Sequence, residues 1–452
     1  MSATTERGGT TVFRGTLTRL ARAQQWLERR PLITLALVIA LMTAIIAAEL
    51  VKRYDANRSP QGWALAQRLL SQDPAGRPAA QERQSPGYSV IIALAASVDP
   101  SLKTEITCGR GTGCVATSPK SLLMLQFLIV LVGLLAAGGA AYVISGNQSV
   151  GFLTLLLTFA GSSHGEPMSY FADYVWVTSL IYIQALVTVL TWRWSSLAMS
   201  VLSGGLLGVL VLLKPLLIVA VPVFAVLLAS ALSRSWGRAW LVGAAVLIGA
   251  SSALGLAYAR LVVPGHYELS IALREVMFDI SLRAGFQSVS LPQAVTGALL
   301  PVPLIGGLVS LLAPTQWVQP FGPFVAGTFA TYGSTTIYPA VVGFGSDVIV
   351  QFRKLLDLMT SQPGGYLLSV PFLAMRSLFG KTDLVGLVGV FHLYRAVAYW
   401  RVDQRLLLVA AALVPSIVLL LASASVTATL PFTNSHMAFV FAFAISYVRG
   451  RL

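Results

Sequence analysis

Carboxylates are scarce in this chain, so the positions of the few that interrupt its apolar runs carry information. Asp55 follows the first apolar segment in Val51-Lys52-Arg53-Tyr54-Asp55, where neighbouring cations keep a carboxylate ionised. Glu82, Glu166 and Asp173 also lie in polar stretches between apolar runs. Glu166 and Asp173 stand at i and i+7 beside a helix start, a spacing that lets both face one cavity. An ionised carboxylate in such a place serves as a general base or a metal ligand. Its plainer role is a juxtamembrane ion pair. Among cations, Lys214 in Leu213-Lys214-Pro215 stands out at the end of an apolar helix pair, with Arg260 and His266 as weaker candidates of the same kind. Each either holds an anion or, as long side chains do, snorkels to lipid headgroups. Arg83 and Arg110 in the first polar loop are candidate anion contacts or plain solvated charge. His164 and His436 are candidate acids or ligands against a structural role. Four histidines in the chain give a three-histidine metal site no support, and no phosphate loop, dinucleotide fingerprint or HExxH occurs. A divalent metal therefore has no support in the sequence.

These residues sit in a chain built for lipid. Of 452 residues, 56% are hydrophobic and 11% charged, against about 25% charged in soluble proteins. That composition excludes a soluble enzyme, a disordered chain, a coiled coil and a disulfide scaffold. It predicts an all-α, polytopic integral membrane protein. The net charge of +14 does not indicate nucleic acid, because no basic run with interleaved aromatics lies outside the apolar segments. The cations instead orient the chain and meet anionic lipid.

Residues 1–31 form a basic segment expected in the cytoplasm, and Pro31 opens the first span. A polar outer loop follows at 51–120. It contains Cys108 and Cys114 around glycines, which either close a small disulfide on the oxidising side or are two unrelated thiols. Further helices are predicted at about 121–144, 150–162, 174–192, 197–213, 216–233 and 239–260, completing an N-terminal module over 32–260. Arg193, Arg234 and Arg238 fall on the expected inner side. Over 267–283, Leu269, Ala272, Leu273, Val276, Met277 and Ile280 recur at helical spacing opposite Glu268, Arg274, Glu275, Asp279 and Arg283. This predicts an amphipathic helix on the outer membrane surface. A shorter one spans 351–359, with Phe352, Leu355, Leu356 and Met359 on one side. The region 261–381 is thus expected to hold outer amphipathic helices and an apolar hairpin of two crossings in 292–349, or a re-entrant segment. Helices at 382–398, 405–425 and 432–448 make the C-terminal module over 382–452, with both termini cytoplasmic. The expected total is about 12 (10–14) crossings. No internal repeat is visible, which argues against a transporter of two halves. Tryptophans near helix ends form an interfacial belt.

Several short motifs recur in a recognisable order. Trp63-Ala64-Leu65-Ala66-Gln67-Arg68-Leu69 is similar to a "Y-x-x-L-A-x-x-L" helix, and Arg83-Gln84-Ser85-Pro86-Gly87-Tyr88 to "R-x-P-G-Y". Gly165-Glu166-Pro167 with Tyr170 is similar to an outer acidic segment leading into a helix. Gly204-Gly205-Leu206-Leu207-Gly208 followed by Leu213-Lys214-Pro215 is similar to "G-L-L-x-G-L … R-P". A helix ending at Gln362-Pro363 and Tyr366, and Thr429-Leu430-Pro431-Phe432-Thr433-Asn434 near a late helix, complete the set. In outline, the set resembles the C-type glycosyltransferases, polytopic enzymes that use lipid-phosphate-linked sugars. They include the protein O-mannosyltransferases and the aminoarabinose transferases of lipid A. Two positions depart from the pattern: Ser59 stands where the acid four residues before the loop aromatic is usual, with Asp55 four residues earlier, and Asn434 replaces a late arginine.

The resemblance implies a polyprenyl-phosphate-linked sugar as donor, an acceptor glycan or lipid on the extracytoplasmic face, and a cell-envelope setting in a bacterial inner membrane. It implies Asp55 or Glu166 as the base, and Arg83, Asp173, Lys214, Arg260, His266 and Asn434 around the substrates. No nucleic acid is expected; no cofactor beyond the lipid-linked donor is assigned, and a divalent metal is left open without support from the residues. Alternatives are a degenerate relative that binds the lipid-linked glycan within an envelope assembly complex, a glycan or lipid transporter, and a polymerase.

Overall fold

The computed structural model describes residues 30–53, 65–66, 69–70, 86–103, 120–161, 173–233, 236–300, 302, 304–318, 332–343, 347–361, 363–369 and 405–422. Among the described residues the chain is helical and contains no strand. The elements are α1 (Pro31–Arg53), α2 (Pro86–Val98), α3 (Lys120–Ser145), α4 (Gln148–Gly161), α5 (Asp173–Trp194), α6 (Leu197–Leu213), α7 (Ala220–Leu232), α8 (Trp236–Ala257), α9 (Leu269–Ala284), α10 (Leu291–Leu299), α11 (Ile305–Leu312), α12 (Val348–Ser361) and α13 (Arg405–Ala422). A 3-10 turn, Pro215–Val219, joins α6 to α7, and a π turn, Tyr258–Val262, extends α8.

Among the described residues, four stretches are long and apolar enough to cross a membrane: Ser121–Ser145, Val175–Trp194, Pro215–Leu232 and Gly237–Val262. Ile33–Ile45, Pro86–Val98, Leu197–Leu213 and Leu407–Leu419 are shorter apolar helices. This is an integral membrane protein. Its helices show it in their exposure: Val226, Leu241, Ile248 and Leu256 stand outward on α7 and α8, where only lipid removes the cost of exposing them.

The bundle packs α6 against α8, α3 against α5 and α4, and α7 against α8 and α13. Its core joins Tyr88, Ile92, Trp176, Ile181, Leu207 and Leu210 to Leu213, Leu217, Phe224, Leu228, Val246 and Leu408. The glycines read as a motif at 204–208 make the α6–α8 crossing. A Cβ on Gly204 would fall onto the Val246 carbonyl, and one on Gly249 onto the Val201 carbonyl. Small residues let backbones meet where apolar helices gain nothing from leaving lipid.

The described part of the region after α9 is made of short helices. No charged side chain occurs from Ala284 to Ser346, yet α10 has nine residues and α11 eight. At 1.5 Å per residue neither crosses a hydrocarbon core about 30 Å thick. The two crossings expected within 292–349 are therefore not made by the described helices. Pro301, Pro303 and Pro314 interrupt the run, each removing a helical hydrogen bond. The spans expected at 382–398 and 432–448 lie outside the described residues, as do Cys108, Cys114, Arg110, His164 and His436.

Helix α9 also turns differently from the sequence reading. Glu275 and Asp279 are each 6% exposed and Arg283 3%, whereas Leu269 is 59% exposed. Glu275, Asp279 and Arg283 therefore face protein, while Glu268 stays exposed and Met277 of the apolar side is buried as well; the helix packs on the Pro215–Val219 turn, α12 and the 333–342 segment. Helix α12 behaves more as expected, with Phe352, Leu355 and Met359 packed near Met277, Ile337 and Tyr338, although Leu356 is exposed.

Candidate functional site

The site forms where α6 stops. Pro215 has no amide hydrogen and disfavours helix at the residue before it. Lys214 is accordingly extended, at φ −138° and ψ 93°. Its own N–H donates to the Leu210 carbonyl at 2.8 Å, and its carbonyl accepts from Leu217 N–H at 2.9 Å. With both backbone groups bonded in a one-residue break, the side chain leaves the helix. Its Nζ reaches Glu275 Oε1 of α9 at 3.2 Å. The side chains are 18% and 8% exposed, so this ion pair is largely withdrawn from water.

Three segments close around it. In α2, the Ser-Pro-Gly-Tyr motif presses on the end of α6: a Cβ on Gly87 would lie 2.9 Å from backbone atoms of Leu212 and Leu213. Tyr88, 1% exposed, joins the core there. From the first outer loop, Leu65 packs with Leu261, Tyr267 and Ile271, and Ala66 joins the main core. The turn between α8 and α9 supplies Tyr267 and His266. Gly265 there takes φ +77°, which glycine adopts without steric cost, and Tyr267 N–H closes the turn on the Leu261 carbonyl at 2.8 Å. Burial pushes the Tyr267 phenol far above its usual range, and the Glu275 charge adds to the shift. His266 Nδ1 is buried without a hydrogen-bond partner.

Beside the pair lies an apolar cleft of about 400 Å³, lined by Pro86, Leu212, Pro215, Tyr258, Tyr267 and Leu269 among others. Farther along α9, Arg283 donates to Ser369 Oγ and to the Tyr366 carbonyl. It also lies 5.6 Å from the ring centroids of both Phe286 and Tyr366. Burial draws its guanidinium down to about 10, countered by Tyr366. Burial pushes the Tyr366 phenol up to about 12, countered by Arg283. The arrangement offers a cation in the helix break whose neighbours Leu212 and Pro215 line the apolar cleft, a carboxylate that neutralises it, and a second buried carboxylate one turn on at Asp279.

Of the sequence candidates, Lys214 and His266 fall at this site. Arg260 is exposed in the π turn of the same face. Asp173 opens α5, and its side chain lies outside the described residues. Asp55, Glu82, Arg83, Glu166 and Asn434 also lie outside them. Sequence reasoning missed Glu275 as the partner of Lys214. A signal existed: no carboxylate occurs between Asp173 and Glu268, so a partner for Lys214 had to come from another segment.

The fold and site define a polytopic helical membrane protein with an apolar cleft next to a largely buried ion pair. No family profile and no curated protein matches the sequence. Among solved structures it is similar to the Archaeoglobus fulgidus oligosaccharyltransferase in complex with Zn and sulfate, at 12% identity and TM-score 0.46, covering 91% of this chain and 49% of that one. It is similar to the same organism's oligosaccharyltransferase AglB with an inhibitory peptide and a dolichol-phosphate, at 12% identity and TM-score 0.47, covering 94% and 51%. ArnT from Cupriavidus metallidurans bound to undecaprenyl phosphate gives 13% identity and TM-score 0.35, covering 91% and 78%. The chain spans about half the length of the oligosaccharyltransferases it matches. At this identity and these scores the likeness assigns neither activity nor residues.

Proposed function

We propose that the protein is a membrane glycosyltransferase that moves a sugar from a polyprenyl-phosphate donor to an acceptor glycan or lipid on the extracytoplasmic face of a bacterial inner membrane. The observation that carries this reading is the meeting of Pro86-Gly87-Tyr88 with Leu213-Lys214-Pro215. These motifs are remote in sequence, yet Pro86 of one and Pro215 of the other line one apolar cleft, and Lys214 stands in the chain between the lining residues Leu212 and Pro215. The cleft takes the isoprenoid, whose burial is driven by apolar area. Lys214 holds the phosphate, releasing Glu275 as it does so.

In the transfer, an acceptor hydroxyl oxygen bonds to the anomeric carbon as the carbon–oxygen bond to phosphate breaks. The hydroxyl proton passes to a carboxylate, and the electron pair leaves on polyprenyl phosphate. Asp55 or Glu166 is that base, and the cation stabilises the charge developing on the leaving phosphate.

The test is to incubate purified protein with radiolabelled polyprenyl-phosphate sugars, scoring retained lipid and released polyprenyl phosphate separately. Lys214→Met should lose both. Asp55→Ala or Glu166→Ala should retain lipid without releasing it. If both carboxylate variants release polyprenyl phosphate at the parent rate, the base assignment fails. Ser59, standing where the resembled enzymes carry their acid, favours a second reading: a glycan-lipid binder within an envelope assembly complex. Retention without release in the parent protein would establish it.

A further inference from the structure

The opposite end of the same helices carries a second cleft, larger than the first and independent of the reading above. It holds about 580 Å³ between α7 and α8. Its floor is made of Ala225, Ala229, Ala239, Gly243 and Ala244, and Trp240 stands at its edge, 70% exposed. Small side chains on both helices keep the cleft open: a Cβ on Gly243 would meet nothing within 4 Å. The polar atoms of the lining are concentrated at one end, at Ser230 and Ser233, next to the connection to α8.

That end is also the cationic end of the bundle. Arg193 and Arg238 are exposed there, and Arg238 Nη2 donates to the Ser195 carbonyl at 3.4 Å. The bond ties the start of α8 to the α5–α6 turn, which brings the two arginines to one face. Arg234 adds a third positive charge to the same connection in sequence. Between Asp173 and Glu268 the sequence holds no carboxylate at all. Arg193 and Arg238 accordingly make no ion pair among the described residues. Trp194, 59% exposed, and Trp240 mark the headgroup level. An apolar slot open to lipid, with unopposed guanidinium groups at its headgroup end, complements one kind of molecule.

We infer that the α7–α8 cleft binds an anionic phospholipid of the leaflet on the Arg193–Arg238 side, with one acyl chain lying along Gly243 and Ala244 and the headgroup phosphate among the arginines. A zwitterionic phospholipid fills the slot equally well but gains little from the cations. Each arginine near the membrane surface is worth about fivefold in affinity for anionic lipid. The site lies at the membrane face opposite Lys214, so it does not compete with the cleft beside that residue.

The experiment is native mass spectrometry of the full chain, delipidated in detergent and titrated with phosphatidylglycerol or phosphatidylcholine of identical acyl chains. Phosphatidylglycerol should be retained about fivefold or more over phosphatidylcholine. Gly243→Leu should abolish retention of both by filling the slot. Gly307→Leu, whose Cβ is equally unobstructed but lies on α11, should leave retention unchanged. The double variant Arg193→Ala/Arg238→Ala, which removes both exposed guanidinium groups and the single Arg238–Ser195 bond but leaves the cleft lining intact, should lose the preference for phosphatidylglycerol while keeping phosphatidylcholine. Equal retention of the two lipids by the parent protein would overturn the headgroup assignment. Undiminished retention by a helical, folded Gly243→Leu protein would overturn the cleft assignment.

Discussion

Two parts of this molecule hold helices together by opposite means. At the α6–α8 crossing, glycines remove side chains so that backbones touch: Gly204 against Val246 and Gly249 against Val201. Around α9, charged side chains make the joints, with Lys214 on Glu275 and Arg283 on Ser369 and Tyr366. Inside lipid, apolar helices gain no hydrophobic energy by associating, and close contact has to supply the attraction. At the membrane face, water has to be excluded before an ion pair becomes strong, and α9 achieves this by turning its charges inward. The difference separates a scaffold specified by shape from a site specified by charge.

The scaffold should be the less forgiving of the two. Gly249→Leu should be the most damaging substitution considered, because its Cβ meets backbone that has no rotamer to yield. The expected loss is at least about 3 kcal/mol, read as a drop in folded fraction in detergent titrations. Gly255→Leu, where the added atom meets open space on the same helix, should be tolerated. Equal damage from both would show that α8 fails for reasons other than the crossing.

Much of the scaffold was legible in the sequence, because length and apolarity suffice for helices such as 121–145 and 237–262. The anomaly of Lys214 was also legible, since a cation at that end runs against the charge bias of the loops. The side on which α9 buries itself was not. Periodicity locates two faces of a helix but does not say which faces protein when the surroundings include lipid, water and a polar partner. Glu275 and Asp279 read as a solvated face until the Pro215–Val219 turn is placed over them. Nor does spacing reveal that Gly87 and Leu212 touch, since that contact depends on how the whole bundle closes. In 292–349, apolarity marks a lipid-compatible run but not its division into helices as short as Leu291–Leu299 and Ile305–Leu312, because the prolines that punctuate it do not lower its hydrophobicity.

The charged joint should come next in effect. Glu275→Ala leaves Lys214 beside a cleft with its ion-pair partner gone, and breaking a buried pair from one side costs about 3 kcal/mol. The double change Lys214→Met/Glu275→Leu removes both charges and should recover most of that loss. A double variant no more stable than Glu275→Ala would mean that the pair is not the unit holding α9 to the end of α6.

A smaller effect is expected inside the bundle, where Gln184 Nε2 donates to Ser203 Oγ at 2.8 Å between α5 and α6. Interhelical bonds of this kind average about 0.6 kcal/mol, because in the membrane-unfolded state polar groups also find partners. Gln184→Leu should therefore shift unfolding by well under the Glu275→Ala change. A loss comparable to Gly249→Leu would place polar contacts, and not backbone approach, at the centre of the scaffold.

The smallest effect sharpens the contrast between buried and exposed charge. Asp99 follows α2 and is partly exposed, yet its Oδ1 accepts from the Ser101 amide at 2.9 Å and from the Ser101 hydroxyl at 2.6 Å. These bonds favour the ionised form. The Ser101 hydroxyl bond, with a weaker contribution from Ser121, holds the carboxyl at about 2. A folded-state value below the unfolded one means that the contribution is complete above the ordinary carboxylate range and disappears as pH falls through about 2. Carbon-13 carboxyl titration of the folded protein should place the Asp99 midpoint there, and Ser101→Ala should move it up toward 3.8. Ser101→Ala should lower global stability at neutral pH only slightly, because water screens a carboxylate that caps a single turn. An Asp99 midpoint that ignores Ser101→Ala would show that the local bonds do not set it.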